Sequence, residues 1–230
     1  MDYDKAYFDN MERTYKTFDR IRAKTIIAFM EKNVPKGGII LDAGCGSGFY
    51  FHHISAFCGN LYGIEFSPEG AEMAKKRIPP GKGEVFVGSM TEPFPLVSES
   101  VDFILCSEVL EHIEDLDKVF DEFLRVLKSD GKILVTVPNF SFLSFEYLRE
   151  MFFTKDPTHV HRKSKKEWTR LLGKRFKIAK SFTSSFHPSF VLYALGIPDS
   201  FTLFAEKIVR LLPVVRNLGR ENIFLLSKPL

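Results

Sequence analysis

The stretch LDAGCGSGFY at residues 41–50 sets three glycines, Gly44, Gly46 and Gly48, within five positions directly behind the apolar run Ile39-Ile40-Leu41. Glycine takes positive φ without a steric penalty and lets a ligand approach the main chain closely. A helix that follows such a turn directs its free N–H groups into the same space. The chain is thereby committed to a strand, a ligand-facing turn and a helix, in that order.

Alternating strand and helix signals continue downstream, which predicts an α/β fold with a parallel sheet. Phe18, Ile21, Ile26, Ile27 and Met30 recur at near-helical spacing over 18–33, and Pro35-Lys36-Gly37-Gly38 stops that helix. Strands are expected at 39–41, 61–64, 84–87 and 101–105. Ser67-Pro68-Glu69 supplies a capping serine, a proline at the first helical position and an acid in the first turn. A helix from Leu116 to Leu127 closes at Ser129-Asp130-Gly131, and a fifth strand runs from Lys132 to Val137.

The pattern changes after Pro138. Residues 139–163 are aromatic-rich and irregular, as in a lid or insertion. Ser164-Lys165-Lys166-Glu167 forms a capping box that opens a helix with Trp168, Leu171 and Leu172. Segments 176–186 and 222–227 read as the last two strands, with apolar helical segments over 190–212 between them. One domain over 1–230 is expected: N-terminal helices to 35, a cofactor-binding core over 36–138, the lid over 139–163, and helices with a terminal strand pair over 164–230.

Composition narrows the partners. With 230 residues and 45% hydrophobic side chains the chain can bury a full core, and a net charge of +3 argues against general nucleic-acid binding. Three cysteines, Cys45, Cys58 and Cys106, with no CxxC pair, suit a reducing compartment. The polar start MDYDKAYFDNMERTY is no secretory signal and no window is apolar enough for a membrane span, so a cytoplasmic location is expected.

The glycine spacing bears on the ligand. G-x-G-x-G puts Phe49 where a dinucleotide fingerprint needs its third small residue, so a nicotinamide cofactor fits poorly. Asp42 before the loop can receive a cationic group, and Glu65 at the end of the second strand can accept both hydrogen bonds of a ribose diol. S-adenosylmethionine carries an adenosine ribose, an ammonium and a sulfonium, and no phosphate.

From about residue 36 to 137 the chain resembles the class I S-adenosylmethionine-dependent methyltransferases. LDAGCGSG resembles their cofactor loop, which implies contacts at Asp42, Ala43, Gly44, Cys45 and Gly46. IEFS places Glu65 and Phe66 at the ribose end, and FVGSM places Ser89 and Met90 at the adenine, although Ser89 stands where the family often has an acid. CSEVLEHI, with Ser107, resembles the segment beneath the methionine moiety. The resemblance implies a Rossmann-like doubly wound sheet of seven strands, mostly parallel with an antiparallel last strand and helices on both faces.

Methyl transfer needs alignment and, for a hydroxyl acceptor, a base or a metal. Glu108, Glu111 and His112 have spacings of three and four, so a helix there puts them on one face. Asp156-Pro157-Thr158-His159-Val160-His161 adds imidazoles from the insertion. Such donors suit Mg²⁺, Mn²⁺ or Zn²⁺. The E-x-x-E-H and distant T-H also resemble the ubiquinone-biosynthesis O-methyltransferases and the small-RNA 2′-O-methyltransferases, which implies Glu108, Glu111, His112 and His159 as ligands. Without metal, His112 or His159 serves as base.

Tyr3, Tyr7 and Tyr15 either close over the cofactor or pack on the sheet. Phe140, Phe142, Phe145, Phe152 and Phe153 are expected to line an apolar acceptor pocket. Nine Lys or Arg against one acid between Arg162 and Lys180 form a solvated face or meet anionic groups, including phosphate headgroups in a peripheral membrane contact. The reading is O-methylation of a small-molecule or lipid-like acceptor. An RNA 2′-O-methyltransferase and a non-catalytic cofactor-binding module are the alternatives.

Overall fold

The computed structural model describes residues 4–17, 20–142, 144–152, 155–183 and 219–229. The expected segments over 190–212, together with residues 184–186, Tyr3, Phe18 and Phe153, lie outside the described residues.

Helices α1 (Lys5–Thr17) and α2 (Arg20–Asn33) precede the first strand. Strands β1 (Ile39–Ala43), β2 (Asn60–Glu65), β3 (Gly83–Val87), β4 (Val101–Ser107) and β5 (Leu127–Pro138) are all parallel. Strand β7 (Glu221–Ser227) pairs antiparallel with both β5 and β6 (Lys177–Thr183), giving one seven-stranded sheet in the order β3-β2-β1-β4-β5-β7-β6. The remaining helices are α3 (Phe51–Ile54), α4 (Pro68–Lys75), α5 (Leu116–Val126), α6 (Phe145–Phe152) and α7 (Lys165–Leu172).

Strand alternation explains the layers. Ile40, Phe103 and Leu105 face Ile26, Met30 and Phe51 in one apolar cluster, whereas Leu41, Ile104 and Cys106 face Phe120, Phe123 and Trp168 in another. A strand whose successive side chains are all apolar needs helices on both faces. Helix α5 buries Leu116, Val119, Phe120, Phe123 and Val126, one helical stripe, and Asp115 caps its start by accepting the Lys118 amide at 3.3 Å. Ser67 caps α4 as expected, and Ser164 with Glu167 closes the capping box of α7.

Two elements differ from the sequence expectation. Ser129-Asp130-Gly131 is no terminating turn but part of a bulge inside β5: Asp102 of β4 stands opposite the four residues from Lys128 to Gly131. Asp102 holds this irregularity by accepting Lys128 Nζ at 2.7 Å and the Ile39 amide at 2.8 Å. The insertion is not wholly irregular, because α6 forms within it. Ser144 Oγ accepts the Tyr147 amide at 3.3 Å and donates to the Asn139 carbonyl, a cap that its aromatic-rich surroundings conceal.

At the β2–β3 edge, Gly83 has φ +147°, and a Cβ there would lie 1.7 Å from the Leu61 carbonyl oxygen. Gly83→Ala is therefore expected to destabilise the fold by about 3 kcal/mol or more. A thermal melt unchanged from wild type would show that the edge can yield.

Candidate active site

The ends of β1, β2 and β4 open into one cavity of about 770 Å³. Gly44, with φ +78°, turns the chain there; a Cβ would fall 2.4 Å from Val109 Cγ2, so no larger residue fits. Helix α1 roofs the loop with Phe8 and Met11, whose nearest atoms would meet a Cβ on Gly46 at 3.6 and 3.3 Å. Arg77 Nη2 pairs with Glu12 of α1 at 2.5 Å, which fixes the roof to the region after α4.

Of the expected cofactor residues, Asp42, Gly44, Cys45, Gly46, Glu65, Phe66, Ser89, Met90 and Ser107 all line this cavity, while Ala43 is buried in β1 behind it. Glu65 Oε2 accepts the Gly46 amide at 2.8 Å and Oε1 the Ser67 amide at 2.9 Å, so the carboxylate is oriented before any ligand arrives. Burial pushes Glu65 above the usual carboxylate range, opposed by those backbone hydrogen bonds. Asp42 is buried, and its Oδ2 has no hydrogen-bond partner. Burial, and then the negative charge of Glu65, push its pKa up to about 8. A buried carboxylate oxygen without a donor suits a cation from outside the chain. Glu65 and the exposed ring of Phe66 line the cavity beside it. Tyr7 also lines the cavity.

The other end of the cavity is polar. Residues 108–112 do not form an α-helix, the condition on which a shared face rested. Glu108 has φ +56°, a left-handed conformation no α-helix accepts, its amide donates to the Thr136 carbonyl at 2.9 Å, and a 3₁₀ turn covers Leu110–His112. Glu108 therefore leaves the shared face and lies 3.6 Å from Arg22 Nη2. Burial pushes Glu108 up to about 7 against the pull of Arg22. Arg22 is held in turn by Glu221 at 2.5 Å and Ser107 at 3.1 Å.

Glu111, His112 and His159 come together, with one ligand atom from each within 4.8 Å of the others. Glu111 is fully buried and neither carboxylate oxygen has a hydrogen-bond partner; burial, then Glu108, push its pKa well above the usual range. His112 Nδ1 lies 3.1 Å from the Thr158 carbonyl, so that nitrogen carries the proton and Nε2 keeps its lone pair. Burial lowers both imidazoles below their ordinary value, which keeps them neutral near pH 7. The Glu111 carbonyl accepts the amides of Val160 at 2.9 Å and His161 at 3.0 Å, and this clamp brings the insertion over the turn. His161 instead packs edge-on against Trp168, away from the cluster.

Among the described residues the expected apolar acceptor pocket is not formed. Phe142 and Phe152 are 72% and 71% exposed and do not line the cavity; Phe140 packs near His159 with ring centroids 6.0 Å apart. Polar groups that sequence reasoning missed take that place: Arg22 from α2, Glu146 from α6, and Arg220 before β7. Asp156 joins them from the segment already singled out for its histidines.

Residues 41–135 match the family model described as a methyltransferase domain. An uncharacterized protein of Methanocaldococcus jannaschii is 31% identical over 80% of this chain and 82% of its own length. The uncharacterized methyltransferase YcgJ of Bacillus subtilis is 30% identical over 58% of this chain and 54% of its own. Among solved structures, a SAM-dependent methyltransferase from Aquifex aeolicus superposes with a TM-score of 0.66 at 16% identity, covering 100% of both chains. The glycine loop, the oriented Glu65, the strand order and these matches agree: the chain belongs to the class I S-adenosylmethionine-dependent methyltransferases.

Proposed function

We propose that this methyltransferase acts on an oxygen of a polar acceptor placed against Glu111, His112 and His159. The observation that carries the reading is the buried, unpartnered Glu111 carboxylate facing two neutral imidazoles in the cofactor cavity. Bound S-adenosylmethionine supplies an electrophilic methyl group on its sulfonium. Asp42 holds the cationic end, Glu65 the ribose, and the turn at Gly44 allows close approach; alignment of this kind supplies much of the acceleration in a displacement reaction.

Glu111, His112 and His159 fit a divalent metal, since each offers a lone pair inward and both histidines are neutral. Two imidazoles and one carboxylate suit Zn²⁺ or Mn²⁺ better than Mg²⁺. Bound there, a metal would lower the pKa of an acceptor hydroxyl. Without it, His112 Nε2 is positioned to take the acceptor proton directly. Screening acceptor pools with labelled cofactor, with and without chelator, tests the reading. Calorimetry with Zn²⁺ and Mn²⁺ reads the metal separately, and full activity in verified metal-free protein leaves histidine as the base.

Glu65→Ala is expected to weaken cofactor binding by about a hundredfold or more, because two charge-assisted hydrogen bonds contribute roughly 1.5–3 kcal/mol each. Calorimetry with the cofactor product checks it. Unchanged affinity would remove Glu65 from the ribose.

A further inference from the structure

We propose that the outward face of α6 docks onto an anionic membrane surface. A helix on a folded domain ordinarily turns its apolar stripe inward, and α6 does the reverse. Its two acids, Glu146 and Glu150, one turn apart, are buried and bonded to Arg220 at 3.0 Å and Arg162 at 2.8 Å. Met151 and Phe152 point outward, 53% and 71% exposed. Phe142, just before the helix and 72% exposed, lies with its ring centroid 5.6 Å from that of Tyr147. Single exposed apolar residues need no explanation, whereas several on one element mark an interaction surface.

Charge identifies the occupant. With both acids of α6 turned inward, basic groups border the patch. Exposed Lys155 follows the helix closely. Residues 163–166 run beside 140–142, with the Phe140 amide on the Lys163 carbonyl at 3.2 Å and the Lys165 amide on Ser141 Oγ at 3.3 Å. That segment carries Lys163, Lys165 and the exposed Lys166, whereas Arg162 and Arg175 are taken up by Glu150, Asp117 and Asp121. Exposed apolar side chains with lysines beside them complement acyl chains beneath anionic headgroups. A second copy of this chain would set lysines against lysines. The inner face of the same helix reaches the cavity through Glu146, so docking would set α6 between the lipid surface and the cavity.

The test is co-sedimentation of the full chain with vesicles of phosphatidylcholine alone or mixed with phosphatidylglycerol. Binding is expected to the mixed vesicles, weaker to neutral ones, and to fall with salt. Lys155→Ala and Lys166→Ala should each weaken it about fivefold, and the double variant Met151→Ser/Phe152→Ser at least about tenfold. Cofactor calorimetry unchanged in each variant shows that the fold and the cofactor site are intact, which separates this test from the acceptor reading. No sedimentation of wild type with either vesicle overturns the proposal. So does equal binding by the double variant, equal binding to neutral and anionic vesicles, or a dimer in velocity sedimentation that Met151→Ser/Phe152→Ser dissolves.

Discussion

Glu111→Gln is expected to lower turnover by roughly 10²–10⁴-fold while raising the melting temperature by about 2–4 °C. The two effects have one cause. Glu111 is fully buried, both of its oxygens lack a partner, and burial holds its pKa well above the ordinary value. Ionising such a group without a partner costs stability, a cost the uncharged amide does not carry, and the arrangement makes sense where an incoming metal or acceptor completes it. The amide keeps the shape but loses the charge that attracts either one. Turnover is read with an acceptor found by the labelled-cofactor screen, stability by a thermal melt, and metal affinity by calorimetry. A variant that is less stable and fully active would make Glu111 a structural residue instead.

The second large effect is a pH dependence centred on Asp42. Its carboxyl in the folded protein titrates near 8, against an ordinary value of 3.8. A folded-state pKa above the unfolded one means that the protonated form is favoured by folding. The native state is therefore most stable with respect to this group below pH 4, and that stability is lost as pH rises from about 4 towards 8. At pH 7 the cost is on the order of 4 kcal/mol. Asp42→Asn should consequently stabilise the ligand-free protein strongly at pH 7 to 8 and hardly at all near pH 4, as read by denaturant titration. Cofactor binding carries the opposite sign. A cationic ligand favours ionised Asp42, so affinity should climb nearly tenfold per unit as pH rises towards 8, and binding below that pH should release a proton. Calorimetry in buffers of different ionisation enthalpy detects the release. Affinity independent of pH over this range would mean that the cation does not meet Asp42.

The parts of the molecule that follow from local rules were legible in the chain. The glycine turn, the Ser67 cap, the Ser164–Glu167 capping box and the apolar runs of the parallel strands all declare themselves within a few residues. What failed depended on partners distant in sequence. Glu108 takes a positive φ where its amide meets the Thr136 carbonyl of the neighbouring strand, and no pattern within 108–112 announces that break. The outward rings of Phe142 and Phe152 read as a pocket lining because hydrophobicity in a sequence has no direction. Arg22, Glu146 and Arg220 reach the cavity from three separate elements and became visible as a set once the sheet order brought those elements together.

The double acceptance by the Glu111 carbonyl has a consequence for how such a site can change over generations. The Val160 and His161 amides grip main chain, not side chain, and the carbonyl on His112 Nδ1 is likewise main chain, from Thr158. Position 111 can therefore exchange its carboxylate without releasing the segment that carries His159. An inherited substitution there rewrites the reagent and leaves the architecture standing, so descendants of this chain can explore new acceptors one side chain at a time while the cofactor half stays as it is.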